Sequence, residues 1–229
     1  MSRSITNGAR LDGVKSATIT GVTDNFTVVF WFNVAATGTK LAVYNGDDGP
    51  NGFGLVLDQT SGQLQALYGG VAFLGGGAYA TGGWQHAALV RSAGTGQVYL
   101  NGATLGTTFS NTPNTPSGNF FFCGIWDSVG GTGTGYLAEA AMWTRALSGS
   151  ELSSLSGGYS PLFYRTSLVR YHKIRGANNP EDDDTPGSNS GTVTNATAQI
   201  ATHPGVIYPG EGIPYARVRP RPFAPGLAR

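Results

Sequence analysis

Apolar and polar residues alternate along most of this chain, with the two-residue period of strands that are buried on one face. The longest such run is Phe26 to Val34, where Phe26, Val28, Phe30, Phe32 and Val34 share one face and Thr27, Val29, Trp31 and Asn33 the other. The pattern predicts further strands over Lys40 to Tyr44, over Phe53 to Leu57 and over Gln63 to Tyr68, the last two joined at Ser61-Gly62. A central hairpin follows. Gly83 to Arg91 forms one strand, a Ser/Ala/Gly/Thr loop follows it, and Gln97 to Leu105 turns back at Asn101-Gly102. Asn-Gly is the strongest short-range hairpin signal, because both residues tolerate the positive φ of a type I′ turn. On that second run Val98 and Leu100 face one way, Gln97 and Tyr99 the other.

Beyond the hairpin the pattern predicts strands over Phe120 to Ile125, Tyr136 to Trp143, Thr166 to His172 and Gly191 to Ala198. One helix interrupts them. Ser148-Gly149-Ser150-Glu151 is a capping box with Ser148 at the N-cap and Glu151 at the third helical position, and the helix should stop near Ser156-Gly157-Gly158. Gly and Pro clusters mark the loops at 45–52, 111–118 and 127–135. From residue 204 the character changes. Six prolines fall at 204, 209, 214, 220, 222 and 225, so no central strand can continue. The layout expected is an arm over residues 1–8, a β-sandwich over 9–203 and an extended Pro/Arg-rich arm over 204–229.

Composition sharpens this. Thirty-six glycines in 229 residues exceed the ordinary share of about 7%, and they suit many tight turns. The net charge of +1 excludes a global field for nucleic-acid or membrane binding. Cys123 is the single cysteine, so no internal disulfide forms. It lies in an apolar strand and reads as a small buried hydrophobe. No run approaches the roughly 18 apolar residues of a membrane helix, and the polar N-terminus has no secretory h-region.

Three blocks carry a resemblance. The first is Trp84-x-His86-x-Ala88-Leu89-Val90-Arg91 with Val98-Tyr99-Leu100-Asn101-Gly102, and the second is Gly135-Tyr136-Leu137-Ala138-Glu139 through Arg145-Ala146-Leu147-Ser148. The third comprises Leu168-Val169-Arg170-Tyr171-His172, Asn179-Pro180-Glu181-Asp182, Asn189 to Thr194 and His203-Pro204. Together they resemble laminin-G-like domains of the concanavalin A-like superfamily, and the third block is similar to the tails of such domains in bacteriophage proteins. Ala138 stands where that family usually has Asp, Thr144 where it often has Asn, and His172 where it usually has Trp. The resemblance implies an all-β jelly-roll sandwich with one short helix. It implies a non-enzymatic virion structural protein, a decoration or cement protein made in the host cytoplasm and bound to the capsid surface. The partners so implied are the major capsid protein and further copies of the chain, as a trimer. A carbohydrate-binding module of a phage tail fibre or a bacterial protein, holding host-surface glycans, is the alternative.

Candidate chemistry is sparse. A sandwich glycosidase needs two acids spaced along one strand, and Glu139 stands alone among alanines, so no catalytic residue is assigned. Asp47, Asp48 and Asn51, and separately Glu181, Asp182, Asp183 and Asp184, offer oxygen ligands for Ca²⁺. The plainer reading of both is a solvated turn, and no metal or cofactor site is assigned. His86, His172 and His203 lack metal spacing, and His86 reads as structural. Tyr79, Trp126 and Tyr159 lie in or beside loops and are the candidates for stacking on a glycan, with core or rim packing the plainer reading. Arg217, Arg219, Arg221 and Phe223 of the tail are the candidates for gripping a protein partner.

Overall fold

A computed structural model describes residues 2–5, 13–36, 41–46, 50–58, 62–117, 120–125, 135–175, 178–194, 197–199 and 203–210. The strands are β1 (Ser2–Ile5), β2 (Gly13–Ser16), β3 (Phe26–Val34), β4 (Leu41–Gly46), β5 (Gly52–Asp58), β6 (Gln63–Tyr68), β7 (Ala72–Ala78), β8 (Gln85–Ser92), β9 (Thr95–Leu100), β10 (Ala103–Phe109), β11 (Phe120–Ile125), β12 (Gly135–Trp143), β13 (Leu168–His172), β14 (Thr192–Thr194) and β15 (Thr197–Gln199). Helix α1 (Gly149–Ser156) follows β12, and a 3₁₀ turn spans Pro161–Phe163. Two antiparallel sheets result. The first runs β10-β9-β8-β3-β12-β1-β15, with β13 also on β12; the second runs β14-β2-β11-β4-β5-β6-β7.

Alternation decides the interior. Phe26, Val28, Phe30, Phe32 and Val34 of β3 meet Leu41 and Val43, Phe53, Leu55 and Leu57, Leu64 and Ala66 of the opposite sheet. Phe26 stacks on Phe53 with ring centroids 3.7 Å apart. Cys123 is buried in the same layer, as a small hydrophobe. Asn101 and Gly102 adopt φ of 51° and 80°, the conformation a type I′ turn requires. The expected loop before β9 is tighter than its composition suggested, because Ala93 and Gly94 make a second turn of the same kind. β7 was not foreseen, since Gly75 to Gly77 hide its alternation. Those glycines serve a close approach: a Cβ on Gly106 of β10 would sit 2.1 Å from the Gly76 carbonyl oxygen.

Both chain ends depart from the expected layout. The N-terminal segment, expected as an extended or mobile arm, is extended and docked: Ser2–Ile5 pairs with β12 and β15. Pro204 to Tyr208, expected to begin a free arm, lies against the first sheet: Tyr159 and Ile207 form a parallel bridge, and Ser160 N–H donates to the Ile207 carbonyl at 3.0 Å. The Gly191 to Ala198 strand divides, β14 joining one sheet and β15 the other. Residues 217, 219, 221 and 223 fall outside the described residues.

Candidate functional site

The outer face of the first sheet has its own buried layer. Val29, Ala88, Ala141 and Trp143 pack beneath Leu147, Leu152 and Leu155 around α1, with Tyr171 and Tyr208. The sequence blocks explain how the layer is fixed. Ser148 caps α1, Glu151 answers with a bond from the Ser148 N–H at 2.8 Å, and the Arg145 guanidinium forks onto both Glu151 oxygens at 2.9 and 2.6 Å. That fork, against the opposing effect of burial and with the bonds from Ser148, holds the Glu151 carboxyl well below its usual range, at about 2. The Asn101 side-chain oxygen accepts from the His86 backbone N–H at 2.9 Å, while the Asn101 backbone N–H donates to the His86 carbonyl at 2.7 Å.

Glu139 sits in this layer at a bulge in β12, with φ of 56°. A bulge re-aims its side chain, and here the carboxylate turns under the C-terminal segment. Tyr171 and Tyr208 each donate a hydroxyl to it, one to each oxygen. His203 Nε2 lies 3.0 Å from Oε1. Burial, and then the adjacent carboxylate, raise the pKa of both tyrosines, so both remain donors. Glu139 is thereby an anchor for residues 203–208 and presents no free oxygen to a substrate. Nearby, His86 packs edge-on to Trp31, and burial lowers its pKa to about 3, so the ring stays neutral. Its Nδ1 has no hydrogen-bond partner among the described residues.

The acidic run 181–184 is not the solvated turn that its composition suggested. Asp183 is buried, pairs with buried Arg170 at 2.8 Å and accepts from the N–H groups of Tyr171, Thr185 and Asn189. Burial acts to raise its pKa, and those donors more than reverse this, leaving it lowered. His172 is clamped between Ser16 Oγ, 3.0 Å from Nε2, and the Asp182 carbonyl, 2.8 Å from Nδ1. The remaining acids face an open cleft of about 210 Å³, lined by Lys173, Arg175, Asn178, Glu181, Asp182 and Asp184. Lys173 Nζ holds Asp184 at 2.7 Å, Asn178 Nδ2 donates to Asp182 at 2.8 Å, and the Arg175 N–H donates to Glu181 at 3.3 Å. Lys173 and Arg175 also lie over the Tyr208 ring, 5.1 and 4.5 Å from its centroid. Among the described residues no three acids, histidines or cysteines converge as a metal site.

The stacking candidates separate. Tyr79 is only 7% exposed and packs edge-on to Phe32 at 5.6 Å, so it is core and not a sugar platform. It plugs the end of the sandwich from a loop, which local sequence does not reveal. Trp126 lies outside the described residues, as do Asp47 and Asp48. Tyr159 is 44% exposed and contacts Phe163, 43% exposed, with ring centroids 5.5 Å apart. Ile207, bridged to Tyr159, is equally exposed. The structure thus joins Tyr159 to two apolar neighbours that sequence reasoning did not single out. Lys173, Arg175 and Asn178 were missed too; the polar run after β13 was their only signal.

Two packed antiparallel sheets with this helix cap define a concanavalin A-like jelly roll. The chain belongs to that family: a laminin-G-type family model, described as the concanavalin A-like lectin/glucanases superfamily, matches residues 7–153. A comparison with curated proteins finds no match. Among solved structures, a Bacteroides ovatus protein described as a candidate carbohydrate-binding protein superposes with a TM-score of 0.64 at 18% identity, over 86% of this chain and 59% of that one. A heptameric SAP-like pentraxin of Limulus polyphemus aligns at 0.48 and 14% identity, over 68% of this chain and 82% of that one. The receptor-binding domain of botulinum neurotoxin D aligns at 0.48 and 12%, over 61% and 38%. At these identities the likeness is one of fold, and this chain spans about three fifths of the Bacteroides protein's length.

Proposed function

We propose that this chain is a non-catalytic, carbohydrate-binding domain. One observation carries the reading: Tyr159 and Phe163 present a pair of rings to solvent on a segment fixed at both ends. The segment is held by α1 on one side, and by the Tyr159–Ile207 bridge and the Ser160 N–H bond to Ile207 on the other. A rigid, half-exposed aromatic gives large contact area at low entropic cost and suits the apolar face of a sugar ring. The family and the Bacteroides fold neighbour support the same reading. The acid in the family block, Glu139, is occupied by tyrosine hydroxyls, which supports binding without hydrolysis. A glycan array, run on the full chain with Tyr159→Ala and Phe163→Ala as comparators, tests this. Glycan retention by the wild type and its loss in both variants is the expected result; an empty array for the wild type ends the reading.

A second reading, a structural protein of a virion surface whose tail ties it to neighbours, is favoured by the anchoring of residues 203–208 on Glu139. That anchor gives the Pro/Arg-rich residues after 210 a fixed point of departure. Truncation after Gly210 should then abolish co-sedimentation with capsids while the melting temperature stays unchanged. Co-sedimentation that survives the truncation removes this reading.

A further inference from the structure

We infer that the cleft between Lys173 and Asp184 is a metal-independent saccharide site that grips a vicinal diol. The inference rests on the carbohydrate-binding reading and names where its polar recognition occurs. The cleft belongs to the chain beyond residue 153, outside the part that the family model matches.

The argument begins from what a diol needs. Each sugar hydroxyl both donates and accepts, so a pair of adjacent hydroxyls is held best by a donor and an acceptor set side by side. The cleft has two such couples, Lys173 with Asp184 and Asn178 with Asp182, at 2.7 and 2.8 Å. The acids of both couples are held by their backbone. The Asp184 N–H donates to the Tyr171 carbonyl at 2.9 Å, and the Asp182 carbonyl faces the His172 ring at 2.8 Å. Glu181 is paired through both backbone groups with Gly191. The backbone is therefore preorganised while the polar ends stay reachable: the Lys173 and Asp184 side chains are 28% and 25% exposed, and Asn178 and Asp182 are exposed. Preorganisation of this kind lowers the entropic cost of binding.

Charge completes the case. A cation beside two carboxylates is what a bound metal would supply, and here Lys173 and Arg175 supply it. Both cations are held in place over the Tyr208 ring, whose hydroxyl is fixed on Glu139. The buried anchor and the open cleft are thus mechanically joined through one side chain.

The test uses the full chain and two soluble probes, methyl α-mannoside and methyl β-galactoside, each against its deoxy analogue lacking one hydroxyl of the cis-diol. Amide chemical shifts of Lys173, Arg175, Asn178, Asp182 and Asp184 should move on titration. Asp184→Asn and Asn178→Ala should each weaken binding about tenfold or more, the scale of losing a hydrogen bond to a charged partner. The deoxy probes should lose a similar factor, and EDTA should change nothing. Asn178 is exposed, so its variant keeps the test sound if the Asp184 variant melts early. Glycan binding that survives unchanged in both folded variants, or that EDTA abolishes, overturns the cleft assignment and leaves the carbohydrate-binding reading standing. A wild type that binds neither probe and no arrayed glycan overturns both.

Discussion

The layer between the two sheets and the layer outside the first sheet are both buried, yet they are built from different chemistry. The inner layer is apolar almost throughout: β3 gives it five aromatic and aliphatic rungs, and β4, β5 and β6 answer in kind. The outer layer mixes apolar residues with buried Glu139 and Ser160, and the β13 edge of the sandwich adds buried Arg170, His172 and Asp183. Apolar burial is non-directional and roughly proportional to area, so the inner layer tolerates exchange of shape for shape. A buried charge is tolerable only while each of its partners remains, so the outer layer is vulnerable one atom at a time.

The contrast between apolar and charged burial is broken most directly at the Arg170–Asp183 pair on the β13 edge. Asp183→Ala strands a buried guanidinium and three backbone N–H groups, and should cost about 3–5 kcal/mol in urea denaturation. Leu55→Met in the inner layer keeps its volume and should cost less than about 1.5 kcal/mol. Equal losses for the two substitutions would show that apolar and charged burial do not differ in kind here.

A smaller effect is expected at Glu139. Glu139→Gln replaces a two-sided acceptor by an amide with one donor side, so one of Tyr171 and Tyr208 loses its acceptor. The expected loss is about 2 kcal/mol, the worth of a hydrogen bond to a charged group. The measurement that sharpens the comparison is local hydrogen exchange. Ile207 N–H, now bonded to the Gly158 carbonyl at 2.8 Å, and Ser160 N–H should exchange faster, while the amides of β3 and β8 stay protected. Uniform acceleration across both sheets would mean that Glu139 supports the whole sandwich and not residues 203–208 alone.

The same division governs what could be read from sequence. Phe26 to Val34, Gln63 to Tyr68 and the Asn101-Gly102 turn were legible because their physics is local: a two-residue period and a positive φ. The capping box at Ser148 was legible for the same reason. Glu139 was seen, as a lone acid among alanines, but its partners lie 32, 64 and 69 residues further on, and no spacing rule spans such gaps. Tyr79 was offered as a stacking candidate beside the plainer reading of core packing, and the core takes it, because a loop aromatic fills the core as readily as one on a strand. The acidic run was taken as solvated since Asp183 differs from its neighbours only in what folds over it. Of the candidate site, Tyr159 was named beforehand, whereas Lys173, Arg175 and Asn178 became meaningful only once the chain brought them around Asp182 and Asp184.

The smallest effect comes where the polar chemistry of the outer layer reaches solvent, at Glu151. Its carboxyl is held at about 2, first by the hydrogen bonds from Arg145 and, against the opposing effect of burial, by those from Ser148. In the unfolded chain it returns to its ordinary value of 4.5. A depressed folded-state pKa favours the native state above the unfolded value, so the contribution is complete above about pH 4.5. It fades as the pH falls toward 2, where the native carboxyl also takes its proton. The pair is partly exposed, with side chains 27% and 20% accessible, so solvent screening reduces its worth to about 0.2–1 kcal/mol. Glu151→Gln should therefore lower stability by that amount at pH 7, and the gap between variant and wild type should close by pH 2. High salt should narrow it at neutral pH. Ser148→Ala removes the neutral half of the cap as well and should cost about 1 kcal/mol. Most of that cost should persist in acid, because an N–H without its hydroxyl acceptor does not depend on the state of Glu151. If the two variants instead lose their effect together at low pH, the cap acts through the charge alone, and the distinction between screened and buried polar groups drawn for this face fails at its exposed end.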